Sequence, residues 1–487
     1  MVQFASLAPL ISLMQKVMSS RLKRTSHSAV VVIPKRNRSA MAHTAKLDSK
    51  PNNSLWADRS TQSASSNSFS DSYDVAIIGG GFSGLWSAYH LKKLNPNLSI
   101  VIFEARHCGY GASGRNGGWA SSDYPVYRST LEKRYGVDRT SALFQSLTSA
   151  IDELGTVAQS IAPEANFVKS GTVMFARNLA QELRLKANED DLHTWKSAEE
   201  LRAMINVSQM RGGLFNPECA TINPMGLVQG LIHHLRSLGM TICEGVYASR
   251  VGDGVLVNSA MVTAPIVIQA TEVFGEPARE FIPLYSLMIA TEPLSEDLWS
   301  EIGVASRFTF AEGSHLINYA QRTVDNRIAI GGRGATYPYG SRLAPEKEMT
   351  AHVHSHLREL VQQWFPALQG IAFTHAWGGA VAITRDWEPY VQFDASSGFG
   401  RLGGYAGDGV TISFLASKIL ANLITANPDP VTQLHFVNRT IRKWEPEPLR
   451  YIAVNSLVKL SGVADKEEVK TTRPSVVSRI IAPLILR

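Results

Sequence analysis

The chain has 487 residues, enough for two or three domains and a sizeable core, and its hydrophobic content of 44% is ordinary for a globular protein. No run of about 18 apolar residues offers a membrane span. The net charge of +6 sits at the start: residues 1–70 hold ten Lys or Arg against two acids, so the body is nearly neutral and has no basic stripe for nucleic acid. Cys108, Cys219 and Cys243 are far apart and form no C-x-x-C, which argues against a disulfide framework or zinc site, and no metal is expected.

Residues 1–70 are rich in Ser, Asn and basic residues and read as a mostly disordered tail. Three accounts of the start stay open: a mitochondrial transit peptide, an extension of another kind, or translation from Met41. The first leads to the mitochondrial matrix, the others to the cytoplasm.

The fold is expected to begin near Ser72. Val75 to Ile78 reads as a buried strand that ends in Gly79, Gly81 and Gly84, a G-x-G-x-x-G turn opening a helix. A second apolar run, Ile100 to Phe103, ends in Glu104, which completes a dinucleotide-binding βαβ unit. Gly79 allows the tight turn, Gly81 lets the backbone approach a pyrophosphate, and Gly84 lets helix and strand pack. The helix N-terminus offers N–H groups to phosphate. Glu104 can accept from a ribose diol and would repel a 2′-phosphate, so FAD or NAD fits better than NADP.

Residues 106–122 form a glycine-rich loop in which Ser113 and Arg115 offer donors, and Gly117 and Gly118 permit backbone contact with a ring. Helices are expected at 139–162, 179–205 and 223–238, and a strand at 240–243. Short strands follow at 255–257, 266–270, 284–291, 315–321 and 327–331, then a helix at 349–364. The last core unit is a strand at 400–402, a glycine loop at 403–409 and a helix at 410–426. The C-terminal 60 residues read as mostly helical. A helix opening at this second loop points its positive end at whatever the loop holds. A distant second glycine loop suits long FAD, held at both ends, better than NAD alone.

The segments DVAIIGGGFSGLWSAYHL, EARHCGYGASGRNGGWAS, HLINYAQRTVDNRIAIGGRG, HAWGGAVAITRDWEPYV, GGYAGDGVTIS and RKWEPEPLRYIAVN resemble the FAD-dependent D-amino-acid-oxidase-like superfamily. Within it they are most similar to the γ-glutamylputrescine-oxidase-like branch of amine oxidoreductases. The resemblance implies an α/β, two-domain architecture: a Rossmann-like FAD domain from 72–125, 219–275 and 370–430, and a substrate domain with a mixed or antiparallel sheet from 126–218 and 276–369. A C-terminal helical tail, 431–487, follows. It implies cofactor contacts at Gly79, Gly81, Phe82, Ser83 and Gly84, and at Glu104, Ala105 and Arg106. Further contacts fall at Ser113, Arg115, Asn116, Gly117 and Gly118, and at Ala248, where relatives often carry valine. The second loop adds Gly404, Tyr405, Gly407, Asp408, Gly409, Val410 and Thr411. Some relatives attach FAD through a cysteine in the segment matching Trp377 to Asp386. None stands there, so non-covalent FAD is expected.

The implied reaction oxidises a C–N bond of an amine or amino acid by hydride transfer to flavin N5, with hydrolysis of the imine and reoxidation by O2 or another acceptor. Because the cofactor carries the chemistry, no catalytic base is assigned. Candidate substrate contacts are His315, Tyr319, Arg333, Trp377 and Tyr405. His315 and Tyr319 are expected on one face of one strand with Ile317. Arg333 suits a substrate carboxylate or an ordinary ion pair. Two other functions stay open: a flavin-binding protein without catalysis, and an NAD-dependent dehydrogenase.

Overall fold

The computed structural model describes residues 54–57, 68–275, 279–304 and 306–485. The chain divides into two units, Met1–Pro51 and Asn52–Arg487. The expectations for residues 1–53 and 58–67 lie outside the described residues.

Every residue of the strand Val75–Ile78 is buried, as suits the middle of a parallel sheet covered on both faces. It pairs in parallel with Ile100–Glu104 on one side, Val75 opposite Ile100, and with Ile266–Gln269 on the other, Val75 opposite Ile266. Among the described residues the full order is Tyr390–Asp394, Phe399–Gly403, Ile266–Gln269, Val75–Ile78, Ile100–Glu104 and Thr241–Glu244, with Tyr390–Asp394 as an antiparallel edge. Because the inner strands are parallel, the turn at Gly79, the acid Glu104, the Gln269 strand end and the loop after Gly403 all emerge at one end of the sheet.

Two helices lie side by side against this sheet, Phe82–Leu94 and Gly409–Ile424. Trp86 meets Phe414 edge-on with ring centroids 4.8 Å apart, and the Ser417 hydroxyl donates to the Ser83 carbonyl at 3.0 Å. Their packing brings the starts of the two helices, and the two glycine loops before them, next to each other. The helix Val137–Ile161 joins the same core through Leu143, Leu147 and Leu154, one stripe at helical spacing. It packs on the Gly409–Ile424 helix, although the expected boundaries put it in the substrate domain.

The second layer is an eight-stranded sheet in the order Phe373–Thr384, Phe281–Thr291, Ile328–Arg333, Asn318–Arg322, Thr309–Glu312, Thr172–Ala176, Gly212–Asn216 and Thr194–Ser197. Its pairings are antiparallel except where Thr309–Glu312 meets Thr172–Ala176. It has its own core, built on Trp299, Phe310, Trp364 and Phe365. The strand Phe373–Thr384 pairs along nearly its whole length with Phe281–Thr291, which moves residues 373–384 out of the expected cofactor domain.

Two expected elements change. The helix expected at 179–205 is a helix at Leu179–Lys186, a turn, a strand at Thr194–Ser197 and a short helix at Ala198–Arg202. Asp190 breaks the run, its carboxylate accepting the N–H groups of Leu192 and His193. The strand expected at 315–321 is Asn318–Arg322, so His315 and Ile317 precede it and share no strand face with Tyr319.

Candidate functional site

At the first turn Gly79 has φ of +111°, and a Cβ there would lie 2.5 Å from the Ala270 carbonyl oxygen. A Cβ on Gly84 would collide with the Gly79 carbonyl, so this glycine sets how closely helix and strand pack. Ser113 comes across from the long loop: its hydroxyl accepts the Phe82 N–H at 2.8 Å, and a Cβ on Gly81 would stand 2.9 Å from that oxygen. Glu104 accepts the Gly80 N–H at 2.7 Å and the Arg106 N–H at 2.8 Å. Burial raises its pKa above the ordinary carboxylate value against those two hydrogen bonds. Ala105 is exposed beside it. Ala248 opens a three-stranded meander whose approach is tied to Glu104, the Val246 N–H donating to the Glu104 carbonyl at 2.9 Å.

The loop after Glu104 is gripped from the eight-stranded sheet. Tyr319 presses its ring on Gly117 and Gly331, where added Cβ atoms would collide with it, and shares a 2.8 Å hydrogen bond with Ser286. Gln321 donates to the Gly117 carbonyl at 2.6 Å, and Gly118 has φ of +71°. Arg115 turns toward the sheet, pairing with Glu348 at 2.7 Å and donating to the Gly378 carbonyl at 3.1 Å. Its guanidinium lies 4.6 Å over the Tyr110 ring. Asn116 folds back, its amide donating to the Ser113 carbonyl at 2.9 Å and its oxygen accepting the Gly118 N–H at 2.8 Å.

The second loop stands opposite. The Tyr405 and Ser83 hydroxyls are 2.7 Å apart, which joins the two glycine loops directly. The Asp408 N–H closes a turn onto the Tyr405 carbonyl at 3.0 Å, and the helix opens at Gly409 with Val410 and Thr411 buried. Arg333 reaches this loop from the end of its strand, donating to the Ala406 carbonyl at 2.5 Å, with its guanidinium 5.4 Å from the Trp387 ring. A Cβ on Gly407 would lie 2.9 Å from that guanidinium.

Of the five substrate candidates, Tyr319 and Arg333 come to the two loops, one to each. Trp377 is 2% exposed and its indole N–H donates to the Arg115 carbonyl at 2.9 Å, so it braces the loop from behind and forms no open wall. Tyr405 is likewise buried, with its hydroxyl engaged by Ser83. His315 is elsewhere: its Nε2 lies 2.8 Å from Glu468, and Arg184 holds Glu468 with two hydrogen bonds of 2.9 and 3.0 Å. Asp465, near His315 and Glu468, accepts the His315 and Leu316 N–H groups. Arg184 supplies positive charge in that cluster, which ties the helix Leu449–Thr471 to the segment before the Asn318–Arg322 strand.

Sequence reasoning missed two features. Glu272 is half-buried in the turn after the Ile266–Gln269 strand and accepts the Ala382 N–H at 2.9 Å and the Gly404 N–H at 3.2 Å. Ser54–Ala57 is not free tail: Trp56 is 2% exposed and donates to the Asn116 carbonyl at 2.9 Å. A lone tryptophan in a serine-rich run was the available signal.

The arrangement suits a dinucleotide with a flat ring. Its glycines clear the backbone on two facing loops, and among the described residues buried donors around those loops lack protein partners: Nε and Nη2 of Arg106, Nε of Arg115 and the Thr411 hydroxyl. A family model described as FAD dependent oxidoreductase (DAO) matches residues 74–423. The γ-glutamylputrescine oxidoreductase of Escherichia coli K12 is 26% identical over 380 residues, 73% of this chain and 84% of that protein. In fold the chain is similar to glycine oxidase from Geobacillus kaustophilus, with TM-score 0.63 and 16% identity over 76% of this chain and all of that one. L-proline dehydrogenase from P. horikoshii is similar too, with TM-score 0.60 and 17% identity over 75% of this chain and 96% of that one. Both glycine loops and the strands that grip them lie inside the matched span, and the chain belongs to the DAO family of FAD-dependent oxidoreductases.

Proposed function

We propose that this oxidoreductase takes an amine or amino acid as substrate, with FAD held non-covalently between the loops at 79–84, 113–118 and 404–411. The observation that carries the reading is the pair of side chains reaching from the eight-stranded sheet, Tyr319 to the first loop pair and Arg333 to the second. Such a sheet roofs a ring lying between the loops. The activities of the relatives, γ-glutamylputrescine oxidoreductase and glycine oxidase, support an amine nitrogen next to the oxidised carbon. When bound, FAD supplies acceptance of a hydride from that carbon, leaving an imine for water to hydrolyse.

The chain's own residues bind and orient. Glu104 receives a ribose diol, the turn at Gly81 and the helix behind it receive phosphate, and the start of the Gly409–Ile424 helix, with Thr411, favours negative charge at a ring edge. Tyr319 packs flat space around the reacting carbon, and Arg333 supplies a fixed positive charge for a substrate carboxylate. O2 or another acceptor completes turnover.

Purified protein tests this directly. It is expected to be yellow, to release FAD into the supernatant on acid precipitation, and to bleach anaerobically with at least one member of a panel of polyamines, N-methyl amino acids and amino acids. Colour that stays with the acid pellet would refute non-covalent attachment, and a panel that bleaches nothing would refute the substrate class.

A further inference from the structure

Three carbonyls in a row on the flavin-side loop are held by groups from far away in the chain. The Ser54 hydroxyl donates to the Gly114 carbonyl at 3.2 Å, the Trp377 indole to the Arg115 carbonyl at 2.9 Å, and the Trp56 indole to the Asn116 carbonyl at 2.9 Å. The two indoles meet edge to face with centroids 6.3 Å apart, so they approach from one side. Both indoles are buried. In a trans peptide the C=O and the following N–H point in opposite directions, and the peptides here are trans. Pinning the Arg115 and Asn116 carbonyls against the tryptophans therefore turns the N–H groups of Asn116 and Gly117 to the other side of the loop. Among the described residues neither N–H makes a hydrogen bond to protein. Gly117 leaves no side chain in the way on its own peptide, and Gln321 fixes the next carbonyl.

We propose that Ser54–Ala57 is a strap belonging to the cofactor site, and that Trp56 is a positioning residue which, with Trp377, aims the Asn116 and Gly117 N–H groups at the flavin. The strap acts through the loop and touches no reacting atom. Glycine-rich backbone is flexible, so without outside anchors these donors would point in many directions and lose entropy on meeting a ligand. The strap removes that freedom in advance. It comes from before the first strand of the fold, from a stretch whose composition reads as tail. The proposal rests on the reading of this loop as a flavin loop.

The test compares four proteins with the full chain: one lacking residues 1–53, one lacking residues 1–67, the single variant Trp56→Phe, and Gly81→Val as a control for the cofactor reading. FAD affinity is measured by titrating apoprotein and following flavin fluorescence, and the visible spectrum and midpoint potential of the bound flavin are recorded. Removing 1–53 is expected to change nothing, whereas removing 1–67 weakens FAD binding more than tenfold. Trp56→Phe keeps an aromatic ring and drops the N–H, so it is expected to weaken binding about tenfold and to shift the midpoint potential. If Trp56→Phe binds FAD within twofold of the full chain with an unchanged potential, while Gly81→Val has lost FAD, the strap is wrong and the cofactor reading stands. Weakening already complete on removal of 1–53 also overturns the strap. A full chain that takes up no FAD overturns the cofactor reading and the strap with it.

Discussion

At the residue scale, Glu272 is the least expected group in the site. Burial pushes its carboxyl up to about 7, against N–H donors from Ala382, Gly404, Tyr405 and Val273. The sign follows from linkage. A carboxyl whose folded pKa is raised holds its proton in the native state after the unfolded chain has lost it, so stability falls as pH rises from about 4.5 to about 7 and the penalty stays constant above that. The size is on the order of 3 kcal/mol for a shift of this kind. Replacing Glu272 by Gln removes the titration and keeps one acceptor and the shape. Urea unfolding of the FAD-loaded protein at pH 5 and pH 8 should show the native protein losing a few kcal/mol more between those values than Glu272→Gln. Equal losses would mean that Glu272 is ionised throughout. The geometry of the first turn was legible at this scale where it depends on backbone: Gly79 has φ of +111°, and a Cβ added at Gly79 or Gly84 would collide with backbone, which few other residues tolerate. The same was not true of His315, Trp377 and Tyr405. Residue type says that a group can bind substrate, whereas only packing shows that Glu468, the Arg115 carbonyl or Ser83 has already engaged it.

At the element scale, the stretch expected as one helix over 179–205 shows what periodicity leaves out. Its leucines recur at helical spacing, yet the turn in the middle is fixed by contacts with residues distant in sequence. His193 stands between Asp190, 2.8 Å from Nδ1, and Asp123, 2.9 Å from Nε2, with Asn216 beside it. Burial by itself would drive the proton off this imidazole, but the two carboxylates outweigh it and hold the pKa up to about 10. A histidine raised in this way stabilises the fold fully below its unfolded value near 6.5, and the contribution is lost as pH climbs toward 10. His193→Gln should therefore cost on the order of 2 kcal/mol at pH 6, since it leaves two half-buried carboxylates without their cation. It should also flatten the decline in stability between pH 7 and 10. Denaturant titrations of both proteins at pH 6, 8 and 10 check this, and a variant whose stability gap to the native protein is the same at pH 6 and 10 would exclude a charged His193. The long helices and the parallel strands were legible because their own side chains carry the pattern. The strand Phe373–Thr384 was hidden by Gly378 and Gly379, and the Gly378 position packs against Glu348 backbone that no local pattern reveals.

At the scale of the whole molecule, the two sheets meet across the glycine loops, where polar links such as Arg115 to Glu348, Trp377 to Arg115, Arg333 to Ala406, Gln321 to Gly117 and Glu272 to Ala382 join them. A ligand seated between the loops adds contacts to both sheets at once, so its binding energy should appear as stability of the entire body. One compact unit spanning Asn52–Arg487 is expected to melt as such. For a ligand that binds only the folded state, each tenfold rise in free concentration above its Kd adds about 1.4 kcal/mol, and a concentration of 100 Kd adds about 2.7 kcal/mol. The melting temperature of apoprotein should therefore climb steadily with the logarithm of added FAD. FMN lacks the adenosine half that we propose Glu104 and Gly81 hold, so it should give a much smaller rise. NAD satisfies the first loop but leaves the second without a ring, and should fall short of FAD for that reason. Thermal unfolding across a thousandfold range of each nucleotide separates the three. A rise with NAD equal to that with FAD would show that the loop at 404–411 makes no contact with the cofactor, and the second glycine turn would then be a helix start and nothing more.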